Sequence, residues 1–306
     1  MTAPAQWWPE EASACFADLV SYRLVGASAC AGRITAALVA VGGESQSRRR
    51  DVAADLAHAA NAFCDLKPDT ALYRNLAGAL VAAAGCGGAA AVADAAAGLR
   101  KYRHEAHEAV LRNAEDLLQD AGTVLVHDYS SVVLDVLARL GSRRRRRVVV
   151  TAGEPLGQGM RVARLVAAAG HDVTYSPDMS VGRVAAELDA FLTGVESFYG
   201  DGSLSNTVGT RMLGLLCREE GVSVIAPAET LKYDPDQPAA HAAGLQAHLL
   251  HPWPSNEVLR DTGWTAVQWV LDAVPAALVT SFVTELGVLP PVHVGARARA
   301  GLARLS

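Results

Sequence analysis

The stretch Gly194-Val195-Glu196-Ser197-Phe198-Tyr199-Gly200-Asp201-Gly202-Ser203-Leu204-Ser205-Asn206-Thr207-Val208-Gly209-Thr210 constrains the fold of this chain more than any other. An apolar strand from Phe191 to Val195 ends in one acid, Glu196. A Gly-Asp-Gly turn follows, and an Asn-led segment then opens a helix through Met212, Leu213, Leu215 and Leu216. A carboxylate at the carboxyl end of a strand, beside a helix N-terminus, sits where open α/β sheets bind ligands.

The rest of the chain divides by period. From Glu10 to about Gln119 the pattern is helical, with long Ala/Leu stretches and i, i+3, i+4 apolar spacing such as Val110, Ala114, Leu117 and Leu118. No strand is needed before Thr123. After Gly122, short apolar runs appear at Thr123–Val126, Val148–Thr151, Asp172–Tyr175, Phe191–Val195, Val222–Ala226 and Leu278–Val283. Helical segments lie between most of them, at Ser131–Leu140, Gly159–Ala169, Val181–Leu188 and Asn206–Glu219. The last run has both a strand and a helix reading. This rhythm implies βαβ units and a parallel sheet covered on both faces. The expected architecture is α/β: a small all-α domain over residues 1–119, then a Rossmann-like parallel sheet domain over residues 120–306 with its site at the strand carboxyl ends. The Pro-, His- and polar-rich stretch Asp234 to Gly263 reads as a long surface excursion.

Composition excludes several classes. Hydrophobic residues make up 51%, much of it alanine, but no charge-free run is long enough for a membrane span. Met1 to Trp8 lacks the basic and apolar regions of a signal peptide. The cysteines Cys15, Cys30, Cys64, Cys86 and Cys217 form neither a CxxC pair nor an even framework, which favours reduced thiols in a cytoplasm. A net charge of −5 gives no general attraction to nucleic acid. The Ala/Arg-rich composition suggests a bacterial source. Arg143 to Arg147 form the one basic run, read as a solvated helix-to-strand loop or as an anionic-partner site. That loop falls at the end of the sheet opposite the strand carboxyl ends, which argues against a substrate-phosphate role. No repeat, zinc-type Cys/His spacing, Walker loop or Gly-x-Ser-x-Gly elbow is present, and no cofactor or metal is expected.

Strand ends supply the chemical candidates. His127 and Asp128 follow the first strand and precede Tyr129-Ser130-Ser131, which can cap the next helix. Gly153, Glu154 and Pro155 follow the second, Pro177-Asp178 the third, Glu196 the fourth, and Glu229 with Lys232 the fifth. In a doubly wound sheet these loops converge on one crevice. Asp128, Asp178, Glu196 and Lys232 together suit acid/base work, with the lysine holding an anion. Each also has a plainer reading: Asp128 and Ser130 as helix caps, Asp178 as a turn residue, Lys232 as a solvated cation.

Several ordered motifs resemble the family of ribose-1,5-bisphosphate isomerase, methylthioribose-1-phosphate isomerase and the regulatory subunits of initiation factor 2B. Val25-Gly26-Ala27-Ser28 is similar to the family's Arg-Gly-Ala turn, and Lys67-Pro68-Asp69 with Asn75 to its Arg-Pro-Thr motif. His127-Asp128-Tyr129-Ser130 resembles His-Cys-Asn-Ser, and Asp178-Met179-Ser180-Val181-Gly182 resembles Asp-Ser-Ala-Val-Gly. Glu196 to Thr210 matches the Asp/Glu, Asn-Gly and Asn-Lys-Ile-Gly-Thr spacing without gaps. Ala228 to Pro235 resembles Ala-Glu-Thr-Tyr-Lys-Phe-Asp-Pro, and Asp272 to Pro290 the carboxyl-terminal signature. The family's enzymes convert an aldose 1-phosphate to a ketose 1-phosphate. A thiol and a carboxylate donate a proton to the ring oxygen and manage hydrogen transfer between the first two carbons, while arginines and a lysine grip phosphate.

The resemblance implies catalytic roles for Asp128, at the thiol position, and Glu196, at the aspartate position. It implies ligand contacts from Arg23, Gly26, Ala27, Lys67, Asp178, Asn206 and Lys232. Departures fall on the same surface: Val25 stands for a phosphate-gripping arginine, Ala152-Gly153-Glu154-Pro155 for Glu-Ser-Arg-Pro, and Thr207 for a lysine. An ionised carboxyl is a poor acid at neutral pH, although repulsion between two close carboxyls and burial raise one pKa. Three functions are therefore expected to compete: a divergent isomerase-like enzyme on a sugar-type ligand, phosphorylated or not; a non-catalytic ligand-sensing or regulatory protein; and a structural pseudoenzyme. A homodimer or higher homo-oligomer is expected, with Trp253, Trp264 and Trp269 either in its interface or in an ordinary core.

Overall fold

A computed structural model describes residues 4–21, 23, 26–154, 156–235 and 269–303. Four helices come first: α1 (Glu10–Val20), α2 (Ala27–Ser47), α3 (Val52–Leu66) and α4 (Ala71–Leu117). Asp51 caps α3 by accepting from the Ala54 amide at 3.1 Å. Leu38, Leu56, Phe63, Leu72 and Leu80 are fully buried between these helices, and Trp8 stacks on Phe63 with ring centroids 5.6 Å apart. The alanine-rich faces let the helices approach closely, and the large side chains fill what remains. The 47-residue α4 is kinked where Gly87 and Gly88 leave helical geometry, Gly88 at φ 61°. Gln46 Oε1 accepts the freed Ala89 amide at 3.1 Å. By length and hydropathy alone α4 matches a membrane span, yet Leu76, Leu80, Val92 and Leu99 pack against α2 and α3. Its far end, Val110, Leu111 and Ala114, is buried in the next core, over the sheet.

The sheet alternates with helices as the period change requires: β1 (Thr123–His127), α5 (Ser131–Gly141), β2 (Arg147–Thr151), α6 (Gly159–Ala168), β3 (Asp172–Ser176), β4 (Ala190–Thr193), β5 (Ser197–Tyr199), β6 (Leu204–Thr207), α7 (Thr210–Glu219), β7 (Ser223–Pro227), β8 (Tyr233–Asp234), β9 (Leu271–Val274), β10 (Ser281–Thr284), β11 (Gly287–Leu289) and α8 (Pro291–Leu302). Seven strands form the main sheet in the order β11-β10-β7-β4-β1-β2-β3, parallel except for β11. The chain winds outward from β1 to β3, then returns to the other side of β1 through β4. The β1–β4 seam is therefore a topological switch point, where connecting loops diverge and leave a crevice.

Two expectations need correction, and one open reading is resolved. Asn206 does not open a helix; it lies in β6, which pairs with β5 across the Gly200-Asp201-Gly202 turn and with β9 on its other side. With β8 these strands form a second, four-stranded sheet that the sequence pattern does not reveal. α7 starts only at Thr210, with Gly209 at its N-cap. Residues Val181 to Leu188 form two short 3₁₀ turns, Asp178–Arg183 and Ala185–Glu187, rather than an α-helix. The ambiguous segment before Glu285 resolves as a 3₁₀ turn, Ala276–Leu278, followed by β10. Asp234 belongs to β8, and the remainder of the expected excursion, with Trp253 and Trp264, lies outside the described residues; Trp269 is exposed.

The arginine run is neither a solvated loop throughout nor an open cationic patch. Arg143, Arg145 and Arg147 pair with Glu115, Asp172 and Glu187. Arg146 is buried and donates to the carbonyls of Leu118, Gln119, Ala121, Leu140 and Arg144, closing the C-terminal ends of α4 and α5.

Candidate functional site

At the switch point, His127 of β1 is in register with Thr193 of β4, so the loops holding Asp128 and Glu196 leave adjacent strand ends. A cleft of about 30 Å³ opens there. Gly26, Ala27 and Ser28 at the start of α2 line it, with Tyr129, Ser130 and Ser131 at the start of α5 and Gly194, Val195, Glu196, Asn206 and Lys232. Two helix N-termini thus face one small polar space, and that of α2 has no side-chain cap. Ser130 caps α5 by accepting from the Val133 amide at 3.5 Å. Gly26 sits at φ 89°, and a side chain there would meet Tyr129 Cε1 at 3.2 Å, so the tight approach of α2 to Tyr129 needs glycine.

Lys232 is brought in by the 3₁₀ turn Thr230–Lys232 after β7. Asn75 of α4 fixes that turn by donating to the carbonyls of Leu231 and Tyr233 at 2.8 and 2.9 Å. The lysine is buried, and its Nζ donates to the Val195 carbonyl at 2.5 Å. Burial pulls its pKa down, against the nearby charges of Glu196 and Glu229. Glu229 in turn pairs with Arg103 of α4 at 3.2 Å. Glu196 accepts from the Thr70 hydroxyl at the N-cap of α4. Asn206 donates to Thr193 Oγ1 at 3.4 Å and Thr210 Oγ1 at 3.0 Å, which ties β4, β6 and α7 together beside Gly194.

Asp128 stands behind this cleft and is not among its lining residues. It adopts φ 59°, the left-handed region that costs a non-glycine residue energy. Thr207 Oγ1 donates to its Oδ2 at 2.5 Å, while Oδ1 is buried without a partner among the described residues. Burial, with Asp178 nearby, raises the Asp128 pKa; the Thr207 hydroxyl, the Tyr129 amide and His127 work against that rise. His127 is locked beside it: Nε2 donates to the Val208 carbonyl at 2.8 Å, and Nδ1 lies 2.7 Å from Thr151 Oγ1.

The other candidates scatter. Asp178 spends both carboxylate oxygens on the amides of Gly153 and Glu154, each at 2.9 Å, and so fixes the loop after β2. Arg23 pairs with Asp18 at 3.1 Å on the surface, and Val25 lies outside the described residues. Lys67 is the C-cap residue of α3, half-buried and near enough to Cys30 to oppose the burial-driven rise of that thiol's pKa. The structure therefore gathers Gly26, Ala27, Glu196, Asn206 and Lys232 around one cleft and leaves Asp128, Asp178, Arg23 and Lys67 outside its lining. Sequence reasoning gave Thr70 no role and named Thr207 only as a departure from a family lysine. Only the position of Thr70, just after Lys67-Pro68-Asp69, offered a signal for it.

A profile of the Initiation factor 2 subunit family matches residues 31–291. Over 176 residues the chain is 26% identical to the "Putative translation initiation factor eIF-2B subunit 2-like" protein of Pyrococcus horikoshii, a match covering 57% of this chain and 60% of that one. It is 29% identical over 179 residues to the ribose 1,5-bisphosphate isomerase of Haloferax volcanii, covering 58% of this chain and 55% of the other. Each match thus spans under two thirds of the relative's length. The crystal structure of the Pyrococcus horikoshii OT3 translation initiation factor eIF-2B superposes with a TM-score of 0.80 at 21% identity, over 92% of this chain and 98% of that one. That likeness concerns the fold.

Proposed function

The chain belongs to the Initiation factor 2 subunit family, and from that premise we propose that it binds a sugar-type small molecule at the β1–β4 switch point and acts on it as an aldose–ketose isomerase-like acid/base catalyst. The observation that carries this reading is the contrast between the two carboxyl groups leaving adjacent strands. Asp128 is buried, with one oxygen unpartnered and its pKa raised, whereas Glu196 faces the cleft with Lys232 and the Thr70 hydroxyl beside it. Burial favours the neutral, proton-donating form of Asp128, and Glu196 is the carboxyl that lines the cleft. Once Tyr129 and the start of α2 part and open the cleft toward Asp128 behind it, Asp128 would give its proton to the ring oxygen as the ring C1–O bond opens. The hydrogen on C2 would pass to C1 while Glu196 takes the proton of the C2 hydroxyl, leaving a ketose. Both groups would then reset by exchange with solvent. Asn206 and the α2 N-terminus would orient the sugar. Asp178, with both oxygens occupied, serves as a loop anchor rather than as a ligand for hydroxyl groups.

One observation favours a second reading, a non-catalytic ligand sensor. A cleft of about 30 Å³ holds little more than a water, and Glu196 and Lys232 already have protein partners. Catalysis therefore requires Tyr129 and the start of α2 to part. The test is to incubate wild type and Asp128→Asn with pentose 1-phosphates, methylthio-pentose 1-phosphates, nucleoside monophosphates and unphosphorylated sugars, following ketose formation by carbon-13 NMR and binding by thermal shift. Turnover by wild type that is lost in Asp128→Asn supports the enzyme. Binding without turnover moves the assignment to the sensor, and neither binding nor turnover ends both. We also infer self-association, which light scattering tests directly; a monomer mass at micromolar concentration rejects it.

A further inference from the structure

Lys232 has the surroundings of an uncharged amine rather than of a cation. It is 4% exposed, and its Nζ makes one hydrogen bond among the described residues, to the Val195 carbonyl at 2.5 Å. The carboxylates that bear on it are engaged elsewhere: Glu229 with Arg103 at 3.2 Å, and Glu196 Oε1 with the Thr70 hydroxyl. Burying an ammonium against a neutral carbonyl alone is costly, so the neutral form is favoured. Burial accordingly pulls the Lys232 pKa down, and Glu196 and Glu229 only oppose that pull.

Residue choice points the same way. Of the chain's 27 lysines and arginines, only Lys67, Lys101 and Lys232 are lysines. Arginine, which keeps its charge when buried, makes the ion pairs of α4 and α5, at Arg74, Arg103 and Arg139. Among the described residues, the one basic side chain that lines the cleft is the one able to lose its charge there. Val195, which holds Nζ, immediately precedes Glu196, so the amine is fixed one residue from a cleft-lining carboxylate. A desolvated lysine amine beside an acid/base group is a nucleophile for carbonyl carbon.

We propose that Lys232 is a nucleophile that forms an imine with the carbonyl carbon of a small open-chain hydroxyaldehyde or hydroxyketone entering this cleft. This goes beyond the isomerase reading and does not rest on it. The Nζ lone pair attacks the carbonyl carbon, and the C=O electron pair moves to oxygen. Glu196, whose Oε2 has no hydrogen-bond partner among the described residues, carries one amine proton to that oxygen and so gives a carbinolamine. It then carries the second amine proton as the C–O bond breaks and the nitrogen lone pair closes the C=N bond. Carbonyl compound and amine thus become imine and water, with no oxidant or reductant. A cleft of about 30 Å³ admits the carbonyl end of such a chain once Tyr129 and the start of α2 part, which favours ligands of two or three carbons.

The test uses the full chain with glycolaldehyde as probe and sodium cyanoborohydride to reduce any imine, followed by peptide mass spectrometry at Lys67, Lys101 and Lys232. Lys101, whose side chain is 78% exposed, is the internal control. At pH 6 Lys232 should be labelled at least about tenfold faster than Lys101, because an ordinary exposed amine is almost wholly protonated there. Raising the pH to 8 multiplies the neutral fraction of an ordinary amine about a hundredfold and should shrink that ratio. In urea, where the fold is lost, the two lysines should label alike. Glu196→Gln removes a charge that favours the ammonium, yet it should slow labelling of Lys232 at least about tenfold, as expected for loss of the group that moves the protons. Lys232 labelled no faster than Lys101 at every pH overturns the proposal and leaves a structural lysine. Labelling in Glu196→Gln as fast as in wild type overturns the proton-transfer role of Glu196. Ketose formation lost in Asp128→Asn, with no labelling of Lys232, removes this proposal alone; labelling of Lys232 without ketose formation removes the isomerase reading alone.

Discussion

Replacing Arg146 with methionine tests whether a single buried cation closes two helix ends. Methionine keeps most of the aliphatic stem and removes the guanidinium. Three of the lost contacts are short: Nε to the Ala121 carbonyl at 3.0 Å, and Nη1 to the carbonyls of Leu140 at 2.9 Å and Arg144 at 2.8 Å. The two to Leu118 and Gln119 are longer, at 3.4 and 3.1 Å. A hydrogen bond from a charged donor contributes roughly 1.5–3 kcal/mol, but shared donors do not add fully. Burial and the neighbouring Arg144 pull the Arg146 pKa down, a sign that its own desolvation costs something that methionine recovers. Taking about 1 kcal/mol for each of the three short contacts, and setting the longer two against the recovered desolvation, gives about 3 kcal/mol. At about 1.5–2 °C per kcal/mol for a chain of this size, the melting temperature should drop by about 5 °C. Circular dichroism melts of Arg146→Met and Arg144→Met give the comparison, because Arg144 has no ion pair among the described residues. If the two variants melt within about 2 °C of each other, the run acts through charge number alone and the capping account is wrong.

Other substitutions bear on the site itself. Asp128 has a raised pKa, so between the ordinary value of 3.8 and that raised value the folded state holds a proton the unfolded chain has lost. Stability from this group therefore falls as pH rises through that window, and Asp128→Asn should be stabilised relative to wild type more at neutral pH than near pH 4; a pH-independent difference in urea midpoints contradicts this. The His107 pKa is also raised, but by its hydrogen bond to Asp135, which favours the imidazolium against burial. That contribution is full below about 6.5 and is lost as pH rises through the folded value, so the melting difference between wild type and His107→Gln should shrink as pH rises above about 6.5. Gly209 sits at φ 101°, and an added Cβ would lie 2.8 Å from His127 Nε2. Gly209→Ala should cost about 2–4 kcal/mol in chemical denaturation, through strain and displacement of His127, and an effect under about 0.5 kcal/mol would show that the β6–α7 turn is not as tight as described.

Periodicity in the sequence was enough to determine the helical start, the change to alternating strands and helices at Thr123, and the parallel main sheet, because those features depend on near-neighbour spacing of apolar residues. Order of motifs was enough to identify the family, and strand-end position singled out Glu196 and Lys232, which line one cleft, along with Asp128 and Asp178, which do not. Tertiary structure alone decided the rest. The β5–β6 hairpin was hidden because β5 and β6 are only three and four residues long, and β9, which completes their sheet, comes 64 residues after β6. The start of α7 was misplaced because its capping group is not local: Asp272 Oδ2 accepts the amides of Gly209 and Arg211 from 63 and 61 residues away. Asp178 reads in the sequence as a site candidate or a turn residue and Arg146 as part of a solvated run or an anionic-partner site, and only the folded chain shows the backbone amides and carbonyls they satisfy. Spacing along a chain reports which face a residue occupies, but not which distant backbone group will need its charge. That need is set when separate helices and strands bring their unsatisfied ends together.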